Sequence, residues 1–288
     1  MAAIVIDGKE IAAKVNKETM ERADRLRRRG ISPCLAVVLM GENPASLSYV
    51  RGKQKALVDL GMEGRDIRLP ETTTEAELLS IIGSLNADKK VHGILVQHPW
   101  PSHIREELIV NGPDPRKDVD CFHPLSLGKL TQGQAGFLPC TPHGIVILLR
   151  EMNIPVSGSH AVIVGRSNIV GKPLSILLSR REQNATVTLC HTGTRDLSSH
   201  TRQADILVAA AGTPGLIKGD MIKKGAAVID VGVNRVPDAS AKKGYRLKGD
   251  VEFDEALETA GWITKVPGGV GPMTIAMLMR NVVEAAEN

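Results

Sequence analysis

The residues whose types and spacing bear on chemistry cluster in three short stretches of this 288-residue chain. In NPASLSYVRGKQKALVDLG (43–61), Tyr49 and Lys53 are four apart, so a helix there projects both from one face. A helical lysine is most often a solvated charge. Lys53 stands out because its partner is one of only two tyrosines, whereas Lys55, on a different face, reads as a surface charge. VHGILVQHPWP (91–101) delivers Gln97 at the end of an apolar run, either as a sheet-edge turn or as a site residue. KDVDCFHP (117–124) adds Asp118 and Asp120. Amine, amide and carboxylate are groups that transfer protons and recognise polar substrates. Two neighbouring acids also raise metal binding, but no further His/Asp/Glu spacing completes a site, so no metal is expected. HExxH, a P-loop lysine signature and a GxSxG elbow are all missing from the sequence.

A second kind of signal lies at 163–173, IVGRSNIVGKP, after an apolar run and before a helical pattern. A sharp turn there, with helix N–H groups facing outward, suits a dinucleotide pyrophosphate. The spacing is G-x-S-x-x-x-G rather than G-x-G-x-x-G, so a plain strand–turn–helix stands beside the nucleotide reading. The next strand ends at Cys190 and runs into His191 and Thr192 without an acid. An NAD site places an acid on the ribose 2′-hydroxyl there. Arg166, in the glycine turn, suits a 2′-phosphate instead, which favours NADP. His191 reads equally as a cofactor contact or as a surface histidine. AAAGTPG (209–215) and IDVGVNR (229–235) end two further strands, where open α/β sheets bind ligands and where ordinary turns also occur.

Apolar β-branched runs alternating with amphipathic stretches predict an α/β chain with parallel sheets. Strands are expected at 34–41, 65–70, 91–97, 160–165, 185–190, 204–212 and 225–232. Helices are expected at 9–29, 44–60, 74–86 and 142–152, from about Val170, and from about Met273. The Pro/Gly/Asp-rich stretch 111–124 and the loop 131–142 mark a hinge region. The 36 basic residues against 32 acidic give a net charge of +4 without clustering, apart from RLRRRG (25–30) at a helix end. With seven aromatic side chains (two Trp, two Tyr, three Phe), stacking platforms for nucleic acid are not expected. No apolar run reaches a membrane span, the N-terminus is not that of a signal peptide, and four scattered cysteines lack CxxC spacing. A soluble, reduced, cytoplasmic protein is expected, with no nucleic-acid or membrane partner.

Taken together, the motifs closely resemble those of the methylenetetrahydrofolate dehydrogenase/methenyltetrahydrofolate cyclohydrolase enzymes of bacterial one-carbon metabolism, the FolD family. The matching segments are GENPASLSYVRGKQKA (41–56), GILVQHPWP (93–101), KDVDCFHP (117–124), LPCTPHG (138–144), VGRSNIVGKP (164–173), IDVGVNR (229–235) and VPGGVGPMTIAML (266–278), in the family's order. The chain departs from the family pattern at His98, where an apolar residue is usual, and at Cys121, where glycine is usual.

The resemblance implies a bifunctional enzyme. It would oxidise 5,10-methylenetetrahydrofolate with NADP and hydrolyse the methenyl product to 10-formyltetrahydrofolate, feeding purine biosynthesis. Lys53 would be the general acid/base of hydrolysis, Gln97 would hold it, Asp120 would bind the pterin, and Tyr49 would position the folate. Val96, His98, Pro267, Gly268 and Gly271 would line the folate pocket, and Gly165, Arg166, Ser167, Thr192 and Val233 would contact NADP. The implied architecture is an N-terminal α/β folate-facing domain over 1–120, completed by a C-terminal helix at 272–288, and a Rossmann-type NADP domain over 121–271. A cleft between them and a homodimer are expected. The alternatives are a dehydrogenase with weak or no cyclohydrolase activity, since His98 and Cys121 flank the hydrolytic residues, a shikimate-dehydrogenase-like enzyme, and a non-catalytic nucleotide sensor.

Overall fold

The computed structural model describes residues 2–134, 136–241 and 244–288, with the backbone alone at Ala45. Ala135, inside the loop expected over 131–142, lies outside the described residues. In chain order the first elements are β1 (Ile4–Ile6), α1 (Gly8–Arg28), β2 (Cys34–Met40), α2 (Pro44–Asp59), β3 (Glu63–Leu69), α3 (Glu75–Ala87) and β4 (Gly93–Val96). Three helices follow, α4 (Glu106–Asn111), α5 (Pro124–Thr131) and α6 (Cys140–Glu151). The chain continues as β5 (His160–Val164), α7 (Gly171–Ser179), β6 (Thr186–Cys190), α8 (Leu197–Thr201), β7 (Ile206–Ala209) and β8 (Ala227–Asp230). It ends with β9 (Asn234–Pro237), β10 (Tyr245–Lys248), α9 (Phe253–Thr259), β11 (Trp262–Thr264) and α10 (Val270–Glu287).

Contacts divide the chain into two compact units, Met1–Ala12 with Thr141–Thr274 and Ala13–Cys140 with Ile275–Asn288. This division departs from the domain bounds expected from sequence in three places, the smallest being 272–274, which stay with Thr141–Thr274 instead of joining the C-terminal segment. Residues 121–140 stay with the unit that precedes them, because the Asp118 carboxylate accepts from the Phe122 and His123 N–H groups and from Ser126 Oγ. Residues 1–12 go with the other unit, because β1 pairs in parallel with β11, Ile4 opposite Trp262.

In the unit built on 13–140, a parallel sheet has the order β3-β2-β4. β2 is apolar throughout and buried throughout, as a central parallel strand must be. β3 alternates exposed and half-buried positions, which fits an edge. One face of the sheet (Ala36, Val38, Met40, Ile94, Val96) packs on Leu78, Ile82 and Leu85 of α3. α3 begins with a capping box in which Thr74 Oγ1 accepts from Glu77 N and the Glu77 carboxylate accepts from Thr74 N. At the C-terminal end of α10, the Glu287 carboxylate is gripped by Arg22 of α1.

The other unit holds a six-stranded sheet, order β1-β11-β8-β7-β5-β6, parallel at every pairing. The chain leaves central β5 for edge strand β6, then returns to β7 on the opposite side. That reversal is the topological switch point of a Rossmann-type sheet. Two buried carboxylates hold the loops at the carboxyl ends of these strands. Asp250 accepts from Ala211 N (2.7 Å), Gly212 N (2.8 Å) and Asn234 Nδ2 (2.8 Å). Asp230 accepts from Gly232 N, Asp250 N and Val251 N at 2.9–3.0 Å. Burial pushes the Asp230 carboxyl up to about 6 while these N–H groups pull it down.

Removing the Asp250 acceptor leaves two backbone donors and one side-chain donor unpaired, which costs at least about 3 kcal/mol. Asp250→Ala is therefore expected to lower the thermal unfolding midpoint clearly. Asp250→Asn, which keeps one acceptor oxygen for the two loop amides, should fall between it and the parent chain. Differential scanning calorimetry on the three proteins checks that order.

Candidate active site

Helix α2 starts at Pro44 and carries Tyr49 and Lys53 on one face, one turn apart. Tyr49 is 42% exposed, whereas Lys53 is only 7% exposed. Lys55, by contrast, is a surface residue paired with Asp59 (2.6 Å). Gln97 follows the last residue of β4, and its N–H is tied to Val38 O of central β2 (2.8 Å). That anchor fixes where the amide projects at the carboxyl end of the sheet. Gln97 Oε1 accepts from Lys53 Nζ at 2.9 Å, in a buried hydrogen bond. Gln97 Nε2 donates to His98 O (2.8 Å), so both ends of the amide are engaged.

The Lys53 amine is held below the ordinary lysine range by burial, which disfavours an ammonium. Asp120 opposes that shift by electrostatic attraction. Asp120 is only partly buried by surface area, yet its surroundings desolvate it and push its carboxyl up. Lys53 and a hydrogen bond with the Cys140 thiol pull it back. Cys140 itself is buried, and its thiol is raised well above the usual range. The structure thus brings Lys53, Gln97 and Asp120 together and adds Cys140, which the sequence reading passed over because cysteine spacing signals only metals and disulfides. The two acids of KDVD separate: Asp118 staples its own loop, and Asp120 remains available to this cluster.

Both departures from the family pattern find a local account. Cys121 sits at φ 61°, a left-handed conformation that favours glycine, and its side chain is fully buried. The turn geometry is therefore kept by a residue for which it is strained. His98 is exposed and stacks edge-on against Trp100 (4.8 Å), while its carbonyl accepts from Gln97 and from buried Ser46 Oγ (3.2 Å). The loop is thus fixed through main-chain atoms that any residue at 98 supplies. Val96 is buried at the end of β4. A cavity of about 800 Å³ in the same unit, lined by His92, Lys117, Lys129 and Phe137 among others, includes none of these residues.

In the Rossmann-type unit, Gly165, Arg166 and Ser167 form the turn after β5, at the switch point. Gly165 has φ 130°, and a Cβ there would meet Ala210 O at 2.0 Å, so only glycine lets β5 and β7 release their loops side by side. Ser167 Oγ accepts from Val170 N (3.1 Å), leaving its O–H to donate elsewhere. Arg166 is exposed and forms no ion pair among the described residues. Thr192 follows neighbouring strand β6 by two residues and is exposed, and Val233, past the end of β8, is 42% exposed. His191 Nδ1 accepts from Gly193 N (3.0 Å), so this ring caps its own turn. An exposed guanidinium, an outward hydroxyl and the start of α7, with no acid at the end of β6, are a donor set that fits a phosphate-bearing dinucleotide. Pro267, Gly268 and Gly271 lie together where the 265–271 loop enters α10. A Cβ at Gly271 would meet no protein atom within 4 Å, so the fold itself does not demand that glycine. Among the described residues, no group of three or more His, Cys, Asp or Glu could hold a metal ion, and no helix is long and apolar enough to cross a membrane.

Two family models match the chain: the tetrahydrofolate dehydrogenase/cyclohydrolase catalytic domain over residues 6–120 and the NAD(P)-binding domain of the same family over 139–288. The bifunctional protein FolD of Moorella thermoacetica is 54% identical over 286 residues, covering 99% of each chain. A crystal structure of the bifunctional methylenetetrahydrofolate dehydrogenase/cyclohydrolase FolD from Campylobacter jejuni superposes with a TM-score of 0.94 at 47% identity, covering 100% of this chain and 99% of that one. The Trypanosoma brucei methylenetetrahydrofolate dehydrogenase-cyclohydrolase, complexed with NADP cofactor and an inhibitor, gives 0.95 at 40% identity, covering 100% and 98%. With both of its units matched and relatives alike over nearly their whole length, the chain belongs to the tetrahydrofolate dehydrogenase/cyclohydrolase family.

Proposed function

We propose that the protein oxidises 5,10-methylenetetrahydrofolate with NADP and hydrolyses the resulting methenyl cation to 10-formyltetrahydrofolate. The observation that carries the hydrolytic half is the buried Lys53–Gln97 hydrogen bond beside Asp120. When bound, NADP would supply the hydride acceptor, and Gly165, Arg166, Ser167, Thr192 and Val233 are the residues that would hold it. The chain supplies no acid or base for hydride transfer, because N5 and N10 of the folate stabilise the cation and orientation provides the assistance. Tyr49, Val96, His98, Pro267, Gly268 and Gly271 serve as folate contacts, and the Asp120 carboxylate accepts from the pterin amino and N3–H groups.

Hydrolysis does need proton transfer. Water adds to the methenyl carbon, and Lys53 Nζ, neutral at that moment, takes one water proton. The carbon–N5 bond then breaks as Lys53 returns that proton to N5, and the remaining hydroxyl proton leaves to solvent, so that the formyl group stays on N10 and one proton is released overall. A lysine of ordinary pKa, ~10.4, is nearly all ammonium at neutral pH and cannot serve as the base. Burial corrects this, and Gln97 Oε1 fixes the amine in either protonation state.

The unit Ala13–Cys140 with Ile275–Asn288 is the folate-facing half on this reading, and the unit holding β5 to β8 is the NADP half. The reading extends to a cytoplasmic homodimer that supplies one-carbon units to purine synthesis. Membership of the tetrahydrofolate dehydrogenase/cyclohydrolase family supports it.

Lys53→Met is expected to abolish decay of methenyltetrahydrofolate absorbance while leaving NADP binding largely intact; a variant that still hydrolyses at the parent rate refutes the assignment. In the parent, hydrolytic kcat should fall as pH drops through the lowered Lys53 pKa, because the ammonium cannot take a proton. Arg166→Ala should reduce the NADP-over-NAD ratio of kcat/KM by roughly tenfold, about one charge-assisted hydrogen bond. An unchanged ratio would remove Arg166 from 2′-phosphate recognition.

A further inference from the structure

We infer that Asn281, on α10, is a positioning residue for the hydrolytic step: its buried amide fixes both Asp120 and Cys140 relative to Lys53. The inference rests on the reading of Lys53 as the proton-transfer group. Asn281 is 2% exposed. Its Nδ2 donates to Val119 O at 2.8 Å and to Leu138 O at 3.0 Å, and lies 3.6 Å from Cys140 Sγ. An amide nitrogen has two hydrogens, so the two carbonyls saturate it and the sulfur is a weaker third contact. The Val119 carbonyl belongs to the peptide unit that carries the Asp120 nitrogen. Holding it fixes the plane from which the Asp120 side chain departs. Leu138 lies two residues before Cys140, whose thiol is also 3.4 Å from the same Val119 carbonyl oxygen.

One side chain thus ties to α10 two separate segments, one carrying Asp120 and the other leading into Cys140. The Asp120 carboxylate attracts the Lys53 ammonium, and the Cys140 thiol, itself protonated, holds that carboxylate through a hydrogen bond. Gln97, a further polar neighbour, is neutral and is held separately by β2 and the His98 carbonyl. In that arrangement the carboxylate favours the ammonium and burial disfavours it. Its placement sets how far the amine falls. Loosening the two segments weakens the carboxylate's pull and leaves burial to dominate, so the amine should titrate lower still. A generic packing role predicts something else: loss of stability, with the pH dependence of the reaction unchanged.

The test compares hydrolytic kcat against pH, at saturating methenyltetrahydrofolate, for the parent chain, Asn281→Leu, the less disruptive Asn281→Ser, and Val282→Ala. Val282 is fully buried on the same helix and touches none of these acceptors through a hydrogen bond, so its variant reports packing loss alone. The expected result is an acid limb displaced to lower pH by about half a unit or more in both Asn281 variants, and unmoved in Val282→Ala. A limb that stays at the parent position, or moves upward, overturns the inference, whatever the loss in melting temperature. Lys53→Met assayed in parallel separates the two possible failures. If it keeps hydrolysing, the Lys53 reading falls and the Asn281 role with it; if it does not, an unmoved limb counts against Asn281 alone.

Discussion

A lysine amine taken out of water is the constraint around which the 13–140 unit is arranged. Burial penalises the ammonium, and without a partner the group would sit in the interior as a bare amine with unmet hydrogen-bonding capacity. Gln97 meets that need through an oxygen that accepts from either protonation state. The Asp120 carboxylate, held by the Cys140 thiol, keeps the charged state accessible. The balance leaves an amine that can change its protonation in the course of a reaction, which a solvated lysine at neutral pH cannot do readily. Each partner arrives from a different element: Gln97 from β4, Asp120 from the loop before α5, Cys140 from the start of α6. Their convergence requires the parallel sheet and the anchoring of its loops.

Carboxylates divide that labour in both units. Asp118 accepts from three donors and closes the turn into α5, which frees Asp120, two residues on, for chemistry. Asp230 and Asp250 do the equivalent at the carboxyl ends of β7 and β8, where they satisfy the loop amides. In each case a buried acid is tolerated because several N–H groups aim at it, the condition under which a charge can leave water.

Much of this was legible in the sequence, for identifiable reasons. β2 and β5 announce themselves as apolar runs because strands buried on both faces leave no room for alternation. Helix periodicity singles out Lys53 and a strand end singles out Gln97, and the fold joins the two by a hydrogen bond. What was missed depends on tertiary pairing. β1 and β11 are three residues each and acquire meaning only by pairing, β1 with β11 and β11 with β8. The β9–β10 hairpin is rich in charge and alternates in burial, so it carries no apolar run. Cys140 and Asn281 lie 141 positions apart and meet only in the fold. At Cys121, where glycine is usual, the backbone keeps the left-handed turn and the thiol is buried.

The central claim is that burial has lowered the Lys53 amine below the ordinary lysine range, and the most direct measurement is an NMR titration of lysine side chains. With lysine isotopically labelled at Cε and Nζ, the Lys53 signal is assigned by its disappearance in Lys53→Met. The account predicts a Lys53 resonance that titrates distinctly below the ordinary lysine range. A Lys53 signal that titrates within that range would contradict it and would require another group to move the protons.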